Sequence, residues 1–542
     1  MSSSQPSSPW IVGPRSDLLL GSGVLYLPIF AVSLYAGSEV VLGGVSLMPL
    51  LVLLIGNSHL GATLLRVYER PEDRHAYRLF AIWASIPILA AALVGLWIPI
   101  VGSLLLTFYL TTVPWHFTGQ NYGVALVFLR RRGVEVTPGL KRALWGSFFL
   151  SYLLWVVTLH AARPGMAEYA PVQTQGSIYA FLPIGVPLGL LPALGLALGL
   201  AYFGCVVVAV ARMRQGAPFR VLAPALLVML SQFLWFAAPA LAKALFRPDQ
   251  LGPLAAMWAQ GSAASTFLWI SLMHSFQYLW ITDYYVRKER PGATTGAFLG
   301  KALLAGMAIL GFPLLLLSLD GVRAPSWDAG LYVMLGGAIN VHHVMMDSVI
   351  WKLRHTRIAD ILIRGAPDAP AATAVRTRRG WIAPLVWASG AVGVALYVAG
   401  SLETQLRLEP ALNRNDRVTL ASSLERLRWM GREDATARAR LGYLLWRDGE
   451  LEAALAEYER SASKRPQAWV FVSMGKIHEQ SGDAAAALGA YERALDLDPA
   501  SIEAHEGAAR VARELGRTER VPEPRDRAGT PEDGSPRTNS RG

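Results

Sequence analysis

The first 401 residues consist mainly of long apolar runs separated by short polar segments. A run of about 20 apolar residues is long enough to cross the hydrocarbon core of a bilayer as a helix. Several runs exceed 25 residues, which implies tilt or extension beyond the hydrocarbon. We therefore predict a polytopic bundle of about eleven transmembrane helices. The predicted spans are residues 17–36, 40–65, 79–101, 103–129, 143–162, 181–211, 221–245, 255–286, 301–319, 329–351 and 381–401.

After residue 401 the pattern changes to amphipathic helices with charged faces. Leu441-Gly442, Tyr458 and Pro466 recur 33 residues later, as Met474-Gly475, Tyr491 and Pro499. This spacing resembles the tetratricopeptide repeat (TPR), in which small residues let paired helices approach and a tyrosine packs between them. The resemblance implies a soluble α-solenoid that binds a protein partner on a concave surface.

The whole chain is therefore predicted to be all-α. The predicted regions are a cytoplasmic N-terminal tail (1–16), a membrane helix bundle (17–401), a linker with a pre-repeat helix (402–433), TPR repeats (434–517) and a disordered tail (518–542).

Charge along the chain indicates topology. The net charge is +11, but most Lys and Arg residues lie in alternate loops between apolar runs. By the positive-inside rule these loops are cytoplasmic, which places the N-terminus inside and the TPR tail outside a bacterial-type inner membrane. We accordingly expect no nucleic-acid partner. The basic loops are residues 66–78, 130–142, 211–220, 287–301 and 352–380.

Histidines inside the apolar runs are the candidate functional residues. His59, His116, His274 and the pair His342/His343 lie on four predicted spans. An ionisable group in a span is costly and is by default a functional hypothesis. The single cysteine, Cys205, excludes a disulfide framework and a thiolate metal site.

Four of these histidines are predicted to lie at a similar depth. The intervals to the next basic loop are seven residues from His59 to Arg66, fourteen from His116 to Arg130, thirteen from His274 to Arg287 and nine from His343 to Lys352. At 1.5 Å per residue, the histidines lie roughly 10–20 Å from the cytoplasmic ends of their helices. We therefore predict that they converge on one metal ion.

Polar neighbours extend the predicted site. Asp347 follows His343 by one helical turn, so it either ligates the same ion or orients that imidazole. His342 points about 100° away from His343 and either serves a second metal or lines the rim. Supporting hydrogen bonds are expected from Asn57, Gln120, Gln277, Tyr278 and Asn340, and Thr63 lies beside His59.

The ligand chemistry favours non-haem iron. Imidazole and carboxylate ligands without thiolate suit iron, zinc, copper or manganese, and open histidine-rich sites suit iron that activates oxygen. Helix-to-helix hydrogen bonding, haem ligation by two histidines and a proton relay remain alternatives. His160, His75 and His355 are expected to be solvated or near lipid headgroups.

Histidines spread singly over several helices, with His116 followed by Phe117, resemble the bacterial and archaeal membrane β-carotene dioxygenases. The resemblance implies an oxygenase acting on a lipid or isoprenoid. Residues 118–121 read Thr-Gly-Gln-Asn where that family has a glycine and an acidic residue, and the TPR tail is foreign to it. Membrane desaturases and hydroxylases also use histidine clusters, but only His342-His343 is similar to their repeated boxes. A monooxygenation or desaturation would require a separate reductase.

Two further functions stay open from the sequence. Polytopic glycosyltransferases that use lipid-linked sugars resemble this chain in outline, yet their catalysis uses acidic residues in the first outer loop, which here holds only Glu39. A membrane scaffold or transporter would use the histidines as a proton path and the TPR array to recruit proteins.

Overall fold

The computed structural model describes residues 8–29, 31, 41–42, 45–69, 76–161, 177–246, 262–317, 324–351, 356–365 and 382–517. The described chain divides into two compact units, one formed by residues up to 406 together with 426–433 and the other by residues 407–425 and those from 434 onward. Each unit is helical.

The helices are bounded as follows. In the first unit they are α1 (Pro14–Ser16), α2 (Met48–Leu51), α3 (Ser58–Tyr68), α4 (Ser85–Trp97), α5 (Pro99–Arg131), α6 (Pro138–His160), α7 (Leu191–Gly216), α8 (Phe219–Gln232), α9 (Ala238–Leu245), α10 (Ser262–Glu289), α11 (Thr295–Leu317), α12 (Tyr332–Ile350), α13 (Thr356–Ala359) and α14 (Ile382–Glu403). The chain continues with α15 (Glu409–Arg414), α16 (Arg417–Trp429), α17 (Ala435–Arg447), α18 (Leu451–Lys464), α19 (Ala468–Gln480), α20 (Ala484–Leu497) and α21 (Ile502–Glu514).

Shorter helical turns adjoin these helices. A 3₁₀ turn covers Leu188–Leu190, and π-helical turns cover Asp17–Gly21, Val52–Asn57, Leu79–Trp83, Phe233–Ala237, Trp327–Leu331, Asp360–Arg364 and Thr404–Leu408. A short antiparallel ladder pairs β1 (Val41–Leu42) with β2 (Val45–Ser46). Apart from this two-residue ladder, the regular secondary structure of the described chain is helical, which confirms the predicted all-α class.

Eight helical stretches of the described chain are long and apolar enough to cross a membrane. They are Met48–Tyr68, Leu79–Trp97, Pro99–Arg131, Pro138–His160, Leu188–Gly216, Phe219–Leu245, Trp327–Ile350 and Pro384–Arg414. Two more long helices, α10 and α11, lie where further spans are predicted. The count of eleven stays a prediction.

The predicted first span, residues 17–36, is not one continuous helix in its described part. The helix ends at Gly21, and Gly23 has a φ of 79°, a left-handed conformation that interrupts the helical path. The backbone carbonyls freed at this break accept hydrogen bonds from Gln277 (2.8 Å, to Gly21) and Ser231 (2.9 Å, to Ser22). Helix-breaking residues are tolerated in a bundle when neighbouring side chains satisfy the backbone in this way. Most of residues 30–40 lie outside the described chain.

Small residues bring the helices of the first unit into close contact. A Cβ on Gly61 of α3 would lie 1.8 Å from the carbonyl oxygen of Ala302 on α11, and a Cβ on Gly306 would lie 1.9 Å from that of Asn57. The same helix meets α14, where a Cβ on Gly390 would lie 2.2 Å from the Leu304 carbonyl oxygen. Such contacts between small residues are the usual means of close helix packing in membranes. They position α3, which carries His59.

The second unit contains two helix pairs, α17/α18 and α19/α20, whose starting residues are offset by 33 as the sequence spacing predicts. Tyr458 and Tyr491 are fully buried, and the Cβ that Gly475 lacks would lie 2.8 Å from the Tyr491 ring. Side-chain caps start three of the helices, with Asp434, Asp483 and Ser501 accepting hydrogen bonds from the amides of Ala437, Ala486 and Ala504. The residues predicted as a disordered tail lie outside the described chain.

Candidate metal centre

Four histidines from four different helices meet inside the first unit. His59 comes from α3, His116 from α5, His274 from α10 and His343 from α12. One ring nitrogen from each lies within 4.8 Å of those from all the others. The four side chains are buried or nearly so. We refer to these residues as the histidine cluster.

Three ring nitrogens of the histidine cluster lack hydrogen-bond partners among the described residues. His59 Nε2 and both ring nitrogens of His274 are buried without a hydrogen-bond partner among the described residues. Leaving a buried polar atom unsatisfied costs about 1–3 kcal/mol. His116 Nε2 and His343 Nε2 are 3.1 Å apart, a separation expected for two imidazoles on one ion with bonds of about 2.0–2.1 Å. The donor set therefore fits a transition-metal ion.

Asp347 completes one side of the cluster. Its Oδ2 lies 3.4 Å from His343 Nε2 and 3.6 Å from His116 Nε2. Its Oδ1 accepts hydrogen bonds from Thr63 Oγ1 and Tyr278 OH, both at 3.0 Å. One carboxylate oxygen is thus held in place while the other faces the imidazoles.

Thr63 and Tyr278 connect this carboxylate to the surrounding helices. Thr63 Oγ1 is 2.9 Å from His343 Nδ1 and 2.7 Å from Tyr278 OH, which accepts a hydrogen bond from Trp351 Nε1 at 3.1 Å. Hydrogen bonds to the outer nitrogen of a ligating histidine fix its orientation and tautomer. Tyr278 is one of the predicted supporting residues, whereas no sequence pattern indicates the contact between Thr63 and His343.

The other predicted supporting residues mostly bind backbone or one another. Gln120 Nε2 donates to the His274 carbonyl oxygen (3.1 Å) and to Gln277 Oε1 (2.6 Å). Asn57 Nδ2 lies 3.1 Å from Met307 Sδ, and Asn340 Nδ2 donates to the Gly336 carbonyl oxygen at 2.8 Å. Among these residues, Gln120 bonds to the backbone of a cluster histidine, His274.

His342 lies away from the histidine cluster. Its Nε2 is 3.2 Å from Tyr68 OH, and its ring stacks on that of Tyr68 with centroids 6.4 Å apart. The 100° rotation between successive helical residues separates it from His343. The structure gives His342 a hydrogen-bonded position on a different face of α12, beside Tyr68.

His160 corrects one expectation from the sequence. It is only 2 % exposed and therefore not solvated. Its Nε2 lies 3.0 Å from Thr111 Oγ1, and its Nδ1 accepts a hydrogen bond from the Ile184 amide at 3.1 Å. The position of His160 near the end of a predicted span did not predict its burial, because the segment 177–186 folds back over this residue. His75 and His355 lie outside the described residues.

Two further polar residues, Gln232 at the end of α8 and Asp283 on α10, belong to separate hydrogen-bond networks. Gln232 bonds to Asn121 (2.9 Å), Thr118 (2.9 Å) and Ser151 (2.7 Å). Asp283 accepts hydrogen bonds from Arg287 (3.0 Å) and Thr295 (3.1 Å). Neither contacts the histidine cluster in these bonds.

Cavities border the cluster on two sides. One, of about 300 Å³, includes His116, Asp347 and Tyr278 in its wall. The other, of about 120 Å³, includes His59 and His274. The cluster therefore has access to space on both sides, as a site with an open position requires.

Comparison with known proteins concerns the second unit. Residues 470–501 match the family described as tetratricopeptide repeat, which indicates protein–protein interaction. No curated protein and no solved structure gave a significant match to the chain. The function proposed for the first unit therefore rests on the geometry of the histidine cluster.

Proposed function

We propose that this chain is an integral membrane metalloprotein and that its histidine cluster holds non-haem iron in an enzyme acting on a lipid or isoprenoid. The observation that supports the proposal is the convergence of four buried imidazoles, of which His59 Nε2 and both ring nitrogens of His274 have no hydrogen-bond partner among the described residues. Hydrogen bonds between helices do not account for the whole cluster, because they leave these three nitrogens of His59 and His274 unsatisfied. His59, His116, His274 and His343 are the proposed ligands, with Asp347 as a fifth ligand or an orienting carboxylate.

The arrangement argues against haem. The ring centroids of neighbouring cluster histidines are 4.2 to 4.9 Å apart, as in His59–His343 and His59–His274. No macrocycle fits between two imidazoles at that distance, and two axial ligands would leave the other pair unused. Calcium and magnesium prefer oxygen ligands, so a transition metal is the better match.

Bound iron would supply the binding and reduction of dioxygen, for which a separate reductase is proposed as the electron donor. The chain's own residues prepare the site. Thr63 and Tyr278 hold Asp347 and the outer side of His343 in fixed positions. Phe117 packs on His274 with ring centroids 4.1 Å apart and shields the cluster from water.

Localisation and partners belong to the same proposal. We place the bundle in a bacterial-type inner membrane with the TPR repeats on the outer side, following the charge alternation. The repeats would bind a protein partner there.

Metal analysis tests the proposal. The purified full-length protein, reconstituted anaerobically with ferrous iron and desalted, is expected to retain one iron per chain by mass spectrometry. The variant His116→Ala/His343→Ala is expected to retain less than a tenth of that, since it loses two neighbouring ligands. His160→Ala, which removes a buried histidine outside the cluster, is the matched control and is expected to keep the metal. A folded wild-type protein that retains no transition metal would refute the proposal and favour the scaffold or transporter hypothesis.

A further inference from the structure

The larger cavity beside the histidine cluster follows the axis of α5. Trp115, Gly119, Gly123 and Val127 contribute to its wall at four-residue intervals, which places them on one helix face. The distance from the first to the last is roughly 18 Å at 1.5 Å per residue. The cavity is therefore long in one direction, and His116 lies near one end of it.

Two glycines make this face a trough. A Cβ built on Gly119 or Gly123 would meet no atom of the described residues within 4 Å. The missing side chains leave space along α5, whereas glycines such as Gly61 are filled by a neighbouring helix. The facing wall is formed by side chains of α10 and α12, including Tyr278, Ile281 and Val344.

The trough opens at the side of the bundle. Trp115 is 39 % exposed and stands at the middle of α5, and Gly119 and Ser348 are also exposed. The inner wall is closed, because Tyr278 and Ile281 are 1 % and 6 % exposed. A ligand from the hydrocarbon phase can thus enter laterally and reach the buried Asp347.

The volume and length of the cavity limit the shape of the ligand that it can hold. Its volume of about 300 Å³ is at the lower limit for small-molecule pockets. A length of roughly 18 Å at that volume leaves a narrow cross-section. The mostly apolar lining matches hydrocarbon. Among the described residues of the lining, the imidazole and the carboxyl group are those of His116 and Asp347 of the proposed metal site, and none is Lys or Arg.

We propose that this trough holds a single unringed hydrocarbon chain, acyl or acyclic isoprenoid, extended along α5 with one carbon segment against His116 and Asp347. The inference deepens the proposed function, on which it rests, by specifying the substrate's shape and its route of entry. Gly119 and Gly123 are the specificity-determining positions, since any side chain there would shorten the trough.

Photo-crosslinking tests this placement without requiring activity. The full-length protein in phosphatidylcholine nanodiscs is labelled with stearic acid carrying a mid-chain diazirine, and adducts are mapped by peptide mass spectrometry. The expected result is labelling of the buried positions Tyr278 and Ile281, which a chain on the outer surface does not reach. Gly123→Leu is expected to lower that labelling about tenfold, equivalent to 1.4 kcal/mol of binding.

Gly204→Leu provides the matched control. Gly204 lies on α7, is exposed, and also has no atom of the described residues within 4 Å of a built Cβ. This substitution is expected to leave labelling at Tyr278 and Ile281 unchanged. Equal labelling in the two leucine variants, or none at the inner positions in the wild type, would overturn the inference.

Competition with unlabelled lipids shows whether the bound hydrocarbon is an acyl chain or an isoprenoid. Protection by unlabelled stearic acid indicates an acyl chain, and protection by geranylgeraniol indicates an acyclic isoprenoid. Cholesterol, whose fused rings exceed the cross-section, is expected not to protect, and protection by cholesterol would contradict the unringed chain.

Iron content measured on the same samples separates the two proposals. Iron without inner-wall adducts refutes the trough alone, and inner-wall adducts without iron refute the metal centre alone.

Discussion

Buried imidazole nitrogens that lack partners are costly, and His274 has two of them. In the absence of a metal, each unsatisfied atom lowers stability by about 1–3 kcal/mol. Phe117 packs against this ring, so an apolar side chain of similar size would find a suitable environment. Residues retained at such a cost are characteristic of functional sites.

We therefore predict that His274→Leu stabilises the metal-free protein and destabilises the iron-loaded protein relative to wild type. In the metal-free form the substitution removes unsatisfied polar atoms. In the loaded form it removes a ligand and with it the stabilisation that binding provides. Thermal unfolding in detergent, with and without iron, measures both effects.

His160→Leu is the matched comparison for that prediction. Both nitrogens of His160 already have partners, in Thr111 and the Ile184 amide. Its replacement is expected to lower the unfolding temperature in both forms, by an amount that does not depend on iron. A His274→Leu variant that behaves in the same way would argue that His274 is a structural residue.

Thr63 contacts two of the proposed ligands, His343 and Asp347, and its replacement tests whether these contacts strengthen iron binding. Thr63→Val preserves the shape of the side chain and removes the contacts with His343 Nδ1 and Asp347 Oδ1. Loss of a partner behind a metal ligand commonly lowers affinity 10–100-fold. We expect a decrease of that size in iron affinity, measured by chelator competition. Thr107→Val on α5, which removes hydroxyl bonds with the backbone of Ser103 and of Leu182, is expected to leave the affinity unchanged.

The sequence contained enough information to group the four histidines, because hydropathy and basic loops set their depth along each helix. The rotation of those helices about their axes could not be predicted from the sequence. His342 and His343 are adjacent in sequence, yet only His343 joins the cluster. The contact of Thr63 with His343 depends on how α3 packs against α12, which no local pattern encodes.

At the scale of elements, α3 is positioned by its glycine contact with α11. Gly306→Ala would place a methyl group against the Asn57 carbonyl, where the nearest distance is 1.9 Å. Overpacking of this kind typically costs about 1–3 kcal/mol. We predict a lower unfolding temperature and weaker iron retention, since a shift of α3 moves His59.

Gly300→Ala on the same helix is the control. Its Cβ would meet no atom of the described residues within 4 Å. Removing a helical glycine there is expected to be neutral or slightly stabilising. If both alanine variants behaved alike, the α3–α11 contact would not be the constraint on the site that we infer.

An ion pair links two helices of the second unit and makes its stability sensitive to acid. Arg510 donates hydrogen bonds at 2.8 Å to each carboxylate oxygen of Glu479, and this lowers the pKa of Glu479 below its usual value, with a further hydrogen bond from Tyr491. Because the folded pKa is below the unfolded value of about 4.3, the stabilisation is present above that pH and is lost as the pH falls through the folded pKa.

Glu479→Gln is accordingly expected to destabilise α19 to α21 by about 1 kcal/mol at neutral pH. The difference from wild type should disappear as the medium is acidified through the folded pKa. Hydrogen exchange of peptides covering residues 468–514, in the full-length protein, measures the change. Glu492→Gln, at an exposed position on α20, is expected to have little effect at either pH.

At the scale of the whole molecule, the number of crossings decides whether the repeats lie on the same side of the membrane as the N-terminus. Eleven crossings place the two ends of the chain on opposite sides, and ten place them on the same side. Hydropathy counted residues 17–36 as a span, but the described part breaks at Gly21–Gly23, and its backbone is bound by Gln277 and Ser231. Apolar composition alone does not distinguish a crossing helix from a broken segment inserted among other helices.

The alternation of basic loops favours eleven crossings, and cysteine labelling tests that count. The chain has a single cysteine, so Cys205→Ala gives a background in which one new cysteine reports its own position. With Ser463→Cys in the exposed part of α18, we expect reaction with a membrane-impermeant maleimide in intact spheroplasts. Ser3→Cys, in the predicted cytoplasmic tail, should react only after permeabilisation. If both cysteines reacted in intact spheroplasts, the first segment would not cross, and the N-terminus would lie on the same side of the membrane as the repeats. The histidine cluster would be unaffected, because its four helices keep their relative directions in either topology.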